Sequence, residues 1–168
     1  MISNWLFALT LVSALGSGVV AGVFFAFSTF VMGALGRLPA AHGIAAMQSI
    51  NVVVINPLFL GVFIGTAGLC ALLVAAALFT WQAPGAMLLL AGALLYFVGT
   101  FLVTMVFNVP LNDALAAVAP ESSDGSRLWA RYLGTWTAWN HVRTIAALAG
   151  AALLTAALCL QARGPGAV

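Results

Sequence analysis

The chain has 168 residues, of which 64% are hydrophobic and only 5% charged, with a formal net charge of +2 and a mean hydropathy of +1.18. Soluble domains carry about 25% charged residues, so this chain cannot cover a globule with a solvated surface, and so hydrophobic a sequence is not disordered either. Lysine is absent and the five arginines form no basic stripe, which excludes nucleic acid as a partner.

Positions 38 to 112 contain no Asp, Glu, Lys or Arg, which leaves room for two complete membrane crossings at about 20 residues each. The first apolar block covers about 5–35. Its start lacks a Lys or Arg n-region and its apolar run outlasts a signal-peptide core, so no cleaved leader is expected. A connection with Pro39 follows, and then a helix-like stretch, His42 to Asn51, expected as a short interfacial helix. The second block covers about 52–79. Gln82, Pro84 and Gly85 then make a very short connection that predicts an antiparallel hairpin with the third block, about 86–107. The longest connection, 109–136, is polar and holds the loop signal Ala119-Pro-Glu-Ser-Ser-Asp-Gly. Trp129, Tyr132 and Trp136 read as an interfacial aromatic belt leading into the fourth block, about 138–160. The expected fold is all-α: one integral membrane domain over 1–168, an up-down-up-down bundle of four helices.

Small residues recur at helix-packing spacing, at Gly18 and Gly22, Gly61 and Gly65, Gly92 and Gly99, Ala146 and Gly150. They let helix backbones approach closely, within the bundle or between copies in a homo-oligomer. Cys70 and Cys159 stand alone in apolar stretches and read as small hydrophobes. Connections one and three carry Arg37, Arg127 and Arg131, against Arg163 on the other side. That balance predicts both connections in the cytoplasm of a bacterial inner-membrane protein.

The polar residues are distributed unevenly. His42, Gln48, Asn51 and Asn56 lie in connection one or at the start of helix two. Asn108, Asn112 and Asp113 end helix three, and Asn140, His141 and Arg143 begin helix four. In an up-down bundle all ten fall on the face bearing connections one and three. Asn108 and Asn112 share a helix face if the turn survives Pro110, and Trp136, Asn140 and Arg143 follow i, i+4, i+7. Ionisable groups within a membrane usually face the bundle interior or a water-filled cavity. Plainer roles compete: Asn56-Pro57 and Asn108-Val-Pro also suit backbone groups freed by proline, and Arg143 also suits snorkelling to headgroups.

Four blocks in order carry a resemblance: Gly22-Val-Phe-Phe-Ala-Phe-Ser-Thr-Phe-Val-Met, Met47-Gln-Ser-Ile-Asn-Val-Val-Val-Ile-Asn-Pro, Asn108-Val-Pro-Leu-Asn and Trp136-Thr-Ala-Trp-Asn-His-Val-Arg-Thr. They resemble the anthrone oxygenase-like family of small four-helix integral membrane proteins, over about Gly18 to Ala151. One departure is Gly33, where a proline often follows the methionine. The resemblance implies oxidation of an anthrone to an anthraquinone with O2 as co-substrate and no added cofactor. Such chemistry needs a base, donors for a developing oxyanion and a dry apolar pocket.

On that implication, His141 or His42 is the base and Asn140, Asn112, Asn108 and Arg143 are donors. Trp136 and Trp139 stack the ring system, with Asn51 and Asn56 on the same face. A competing reading places iron or copper on His42, His141 and Asp113. Outside the enzymes stand a small-molecule binding or transport protein and a structural subunit. A transporter usually shows internal repeats, which the two halves lack. A structural subunit predicts polar residues that pair with one another and leave no cavity.

Overall fold

The computed structural model describes residues 4–162; Arg163, used above for orientation, lies outside them. Five helices follow one another: α1 (Asn4–Gly36), α2 (Ala40–Val53), α3 (Pro57–Phe79), α4 (Ala86–Ala116) and α5 (Ser123–Ala162). All described regular structure is helical, and α1, α3, α4 and α5 are each long and apolar enough to cross a membrane. The hydrophobic residues surround these helices rather than striping one face, as expected where the outer solvent is lipid.

Gly85 adopts a left-handed φ of 83° at the tight α3–α4 connection, a conformation that favours glycine. A Cβ at Gly99 would stand 2.7 Å from the Ala146 Cβ, and one at Gly92 would stand 3.1 Å from the Gly150 oxygen. Along α4 and α5 these pairs run in opposite chain directions, as do Phe24 with Phe63 and Gly16 with Thr66 along α1 and α3. Gly18, Gly22, Gly61 and Gly65 differ: they face outward, with nothing within 4 Å of a built Cβ. The glycine motifs therefore divide between inner packing and an unpartnered outer surface.

Two departures from expectation enlarge the polar end of the molecule. Helix α4 continues to Ala116 and α5 begins at Ser123, so most of 109–136 is helical and only 117–122 lies outside helix. Proline lacks an N–H and its ring clashes with the carbonyl four residues back. Here the turns ahead of Pro110 widen into π-helix over Thr104–Asn108, with the Val109 N–H donating to the Thr104 carbonyl, and the helix passes the proline intact. A longer π stretch covers Leu95–Leu102, and a third, Phe27–Val31, interrupts α1. At the other boundary, Ser122 Oγ accepts the Gly125 N–H at 2.9 Å and caps the first turn of α5.

The second departure concerns the aromatic belt. Trp129, Tyr132 and Trp136 are buried, at 4%, 1% and 4% exposure. Their spacing forms one face of α5, which packs with Met32 and Leu35 of α1, Ile44 and Met47 of α2 and Leu115 of α4 as a second core beside that of the spans. Gly43 makes the close approach of α2 possible, because a Cβ there would lie 2.8 Å from the Trp129 ring. At about 1.5 Å per residue the 40-residue α5 is about 60 Å long, about twice the hydrocarbon thickness. Its first half carries Asp124, Arg127 and Arg131, with Asp124 and Arg127 paired.

Candidate functional site

A cavity of about 480 Å³ opens where α2 and the α2–α3 link close over the four long helices. Its walls are mostly aromatic and aliphatic: Phe24 and Phe27 from α1, Phe59 and Phe63 from α3, Phe101 from α4 and Trp136 from α5. The polar groups lining it are Gln48, Asn51, Thr104, Asn112, Asp113 and Arg143.

Arg143 is the central feature. It is 4% exposed, so it does not snorkel to the headgroups. Its guanidinium carbon lies 4.1 Å from the Phe24 ring centroid and 4.7 Å from that of Trp136, a cation–π sandwich that offsets part of the lost hydration. Its Nε donates to Asn140 Oδ1 at 3.0 Å and its Nη1 to Thr104 Oγ1 at 3.3 Å. Among the described residues the one ion pair is Asp124–Arg127. Arg143 thus lines an apolar cavity with no carboxylate partner, and Nη2 has no protein acceptor. A buried cation left in that state attracts an anion or a strongly polarised oxygen.

The asparagines hold this arrangement from behind. Asn140 is fully buried, and its Nδ2 donates to the Phe24 carbonyl at 2.8 Å and to Ser28 Oγ at 2.7 Å. It ties α1 to α5 while its oxygen steers the guanidinium. Asn108 is also fully buried and donates to the Trp136 carbonyl at 3.2 Å. Asn112 accepts from both Tyr132 OH, at 2.7 Å, and Trp136 Nε1, at 2.8 Å. An indole N–H only donates, so the Asn112 amide orientation is fixed and its Nδ2, with no protein acceptor, is a donor offered to the cavity. Asn51 Nδ2 is likewise buried without a partner.

The structure therefore brings Asn51, Asn112, Trp136 and Arg143 to the cavity, with Asn108 and Asn140 behind them. It does not bring in the histidines. His141 is exposed and turned away, because Asn140, Arg143 and Thr144 occupy the inward face and His141 lies about 100° from Asn140 on the helix, beside exposed Val142 and Ile145. His42 is exposed on α2. Trp139 stacks on Phe107, with centroids 3.6 Å apart, away from the cavity. Asn56 caps α3: its Oδ1 accepts the Phe59 N–H at 3.0 Å and its Nδ2 donates to the Val53 carbonyl at 3.0 Å.

No three His, Cys, Asp or Glu side chains gather in a metal-binding group among the described residues, so His42, His141 and Asp113 do not form the triad of the competing metal reading. Sequence reasoning missed Tyr132, Thr104, Phe24 and Phe27. Tyr132 was legible as one turn before Trp136. Phe24 and Phe27 lie in the Gly22–Met32 block that carries the resemblance, but their residue type alone does not separate them from the other apolar residues of the span, nor is Thr104 marked.

These features define a membrane-spanning helical bundle with an apolar cavity built around a buried, unpaired cation. The chain belongs to the anthrone oxygenase family, whose model matches residues 59–153. That match takes in Asn108–Asn112 and Trp136–Thr144, which hold much of the cavity's polar machinery; the blocks Gly22–Met32 and Met47–Pro57 both lie before it. No curated protein and no solved structure matches the chain significantly.

Proposed function

We propose that the protein is a membrane-embedded oxygenase that oxidises a flat, hydrophobic, anthrone-type molecule with O2 as the co-substrate. Family membership supports the reaction class. The observation that carries the reading is Arg143, desolvated, unpaired and facing an aromatic cavity.

Loss of the acidic C–H of an anthrone leaves an anion whose charge rests largely on the carbonyl oxygen. Arg143 and the Asn112 amide offer donors to that oxygen in a site of low polarity, where fixed donors act more strongly than in water. Phe24, Phe27 and Trp136 flank the ring system. The proton passes to Asp113, the other ionisable group of the lining, which is exposed at the polar end. The carbanion then reacts with O2: one oxygen atom becomes the new quinone carbonyl, and the other leaves as water with the two hydrogens lost from the CH2. The chain sits in a bacterial inner membrane with α2 and the α4–α5 connection on the cytoplasmic side.

The test is O2 consumption and quinone absorbance with 1,8-dihydroxyanthrone and the purified protein in lipid. Arg143→Gln, which removes the charge, is expected to cost about 10²–10³ in turnover. Turnover within a few-fold of wild type overturns the reading. Activity abolished by a chelator and restored by iron or copper favours metal chemistry instead.

A further inference from the structure

The four seams between the long helices around the cavity are not closed alike. Asn140 and the Ser28–Thr144 hydroxyl pair, 3.0 Å apart, close α1 against α5. Thr100 Oγ1 donates to the Arg143 carbonyl at 3.2 Å and Asn108 to that of Trp136, closing α4 against α5. The Phe24 and Phe63 rings, 6.2 Å apart, close α1 against α3. Between α3 and α4 the last ties are Tyr96 OH, donating to the Phe63 carbonyl at 3.1 Å, and the Phe63–Phe101 ring contact at 5.5 Å. The close packing of α3 on α4 is concentrated in Ala86–Leu102. Beyond Leu102 the close packing between the two helices thins.

Several residues beside that gap line the cavity and are also well exposed: Ile64 of α3, at 52%, Ile55 of the α2–α3 link, at 69%, and Met105 of α4, at 47%. All are apolar. Ile64 lies seven residues into α3, about 10 Å from its start, well inside a hydrocarbon layer of about 30 Å. The charged lining residue, Asp113, lies about 12 Å beyond Met105 along α4, one turn before Ala116.

We propose that the α3–α4 gap is a lateral portal through which a small, flat, uncharged lipophile passes between the hydrocarbon layer and the cavity, while proton and water use the Asp113 end. This rests on the cavity being the ligand site proposed above, but it concerns the route and not the reaction. An apolar molecule dissolved in lipid gains nothing by crossing the headgroups to reach a polar mouth. A slot edged by Ile64 and Met105 spares it that step.

The test uses a bilayer-partitioning probe that needs no turnover, 3-trifluoromethyl-3-phenyldiazirine, photolysed with the protein in nanodiscs and mapped by peptide mass spectrometry. Wild type is expected to carry label on Phe24, Phe27 and Trp136 as well as on outward residues such as Phe79. With the probe added shortly before photolysis, the double variant Ile64→Trp, Met105→Trp is expected to acquire the cavity label about tenfold more slowly, with Phe79 labelling unchanged. Ala116→Trp, which narrows the polar end, is expected to leave the cavity label unchanged. Unlabelled cavity residues in wild type overturn the portal, as does equal labelling in the slot variant or a loss confined to Ala116→Trp. If the double variant does not fold, Ile64→Phe alone is expected to give a smaller loss in the same sense, and no loss overturns the portal. Labelling as expected without turnover of 1,8-dihydroxyanthrone leaves the portal standing and removes the oxygenase reading.

Discussion

Asn140 makes three hydrogen bonds through one amide, so its removal has a cost that the geometry apportions. In Asn140→Leu, two neutral bonds to α1 are lost, each worth about 0.6 kcal/mol by comparison with interhelical hydrogen bonds in membranes. The bond from Arg143 Nε involves a charged donor and is worth about 1.5–3 kcal/mol. The total is about 3–4 kcal/mol. For a chain of this size it corresponds to a drop of about 10 °C in the melting temperature, at about 2–4 °C per kcal/mol. Circular dichroism in a mild detergent reads it directly. The sharper assay is a double-mutant cycle with Arg143→Met. If the Asn140 oxygen serves chiefly to hold the guanidinium, the two substitutions are non-additive by about 1.5–3 kcal/mol, because Arg143→Met removes the partner that Asn140→Leu would strand. Additive losses within about 0.5 kcal/mol refute the reasoning and reduce Asn140 to a tie between α1 and α5.

Four further outcomes follow from placement. His141→Gln is expected to change both melting temperature and turnover only slightly, since the side chain is exposed and makes no contact with the cavity; a loss of about 10²-fold or more, the scale of a missing general base, would return the base to His141. Gly99→Ala is expected to destabilise by about 1–3 kcal/mol, because the added methyl meets Ala146. Gly61→Ala is expected to be neutral or to stabilise by up to about 1 kcal/mol, and paired melting curves separate the two. Single cysteines at positions 40, 123 and 83, in a background lacking Cys70 and Cys159, are expected to label with an impermeant maleimide from one side for the first two and from the opposite side for the third.

The spans were legible because hydrocarbon thickness imposes a length that a run of apolar residues either meets or misses, and 52–79 needed only minor trimming to become Pro57–Phe79. The polar end was harder to read. Loop-like composition around Ala119 and Pro120 hid the fact that helix resumes at once from Ser123, and Pro110 suggested a stop where a widened turn accommodates it. Within the site, the i, i+4, i+7 face of Trp136, Asn140 and Arg143 pointed to the right helix surface. Adjacency in sequence drew His141 into the same group, although one residue of rotation carries it to the outer surface. Phe24 shows the converse limit: as one apolar residue among many in α1, nothing in its own chain neighbourhood marks it as half of a cation clamp. That role exists only once α1 and α5 are side by side.

The widened turns of α4 make the helix tolerant of its residue count. Each π turn accommodates an additional residue without displacing the ends of the helix. Deleting one residue within Leu95–Leu102 or Thr104–Asn108 would let that turn tighten to α geometry while Asn112 and Asp113 kept their facing. The same deletion in the ordinary α-helix of Ala86–Leu94 would swing everything beyond it through about 100° and turn both residues away from the cavity. The widened stretches are therefore where chains of this architecture can gain or lose a residue and still hold the same cavity lining, and an alignment of them would place its single-residue gaps there.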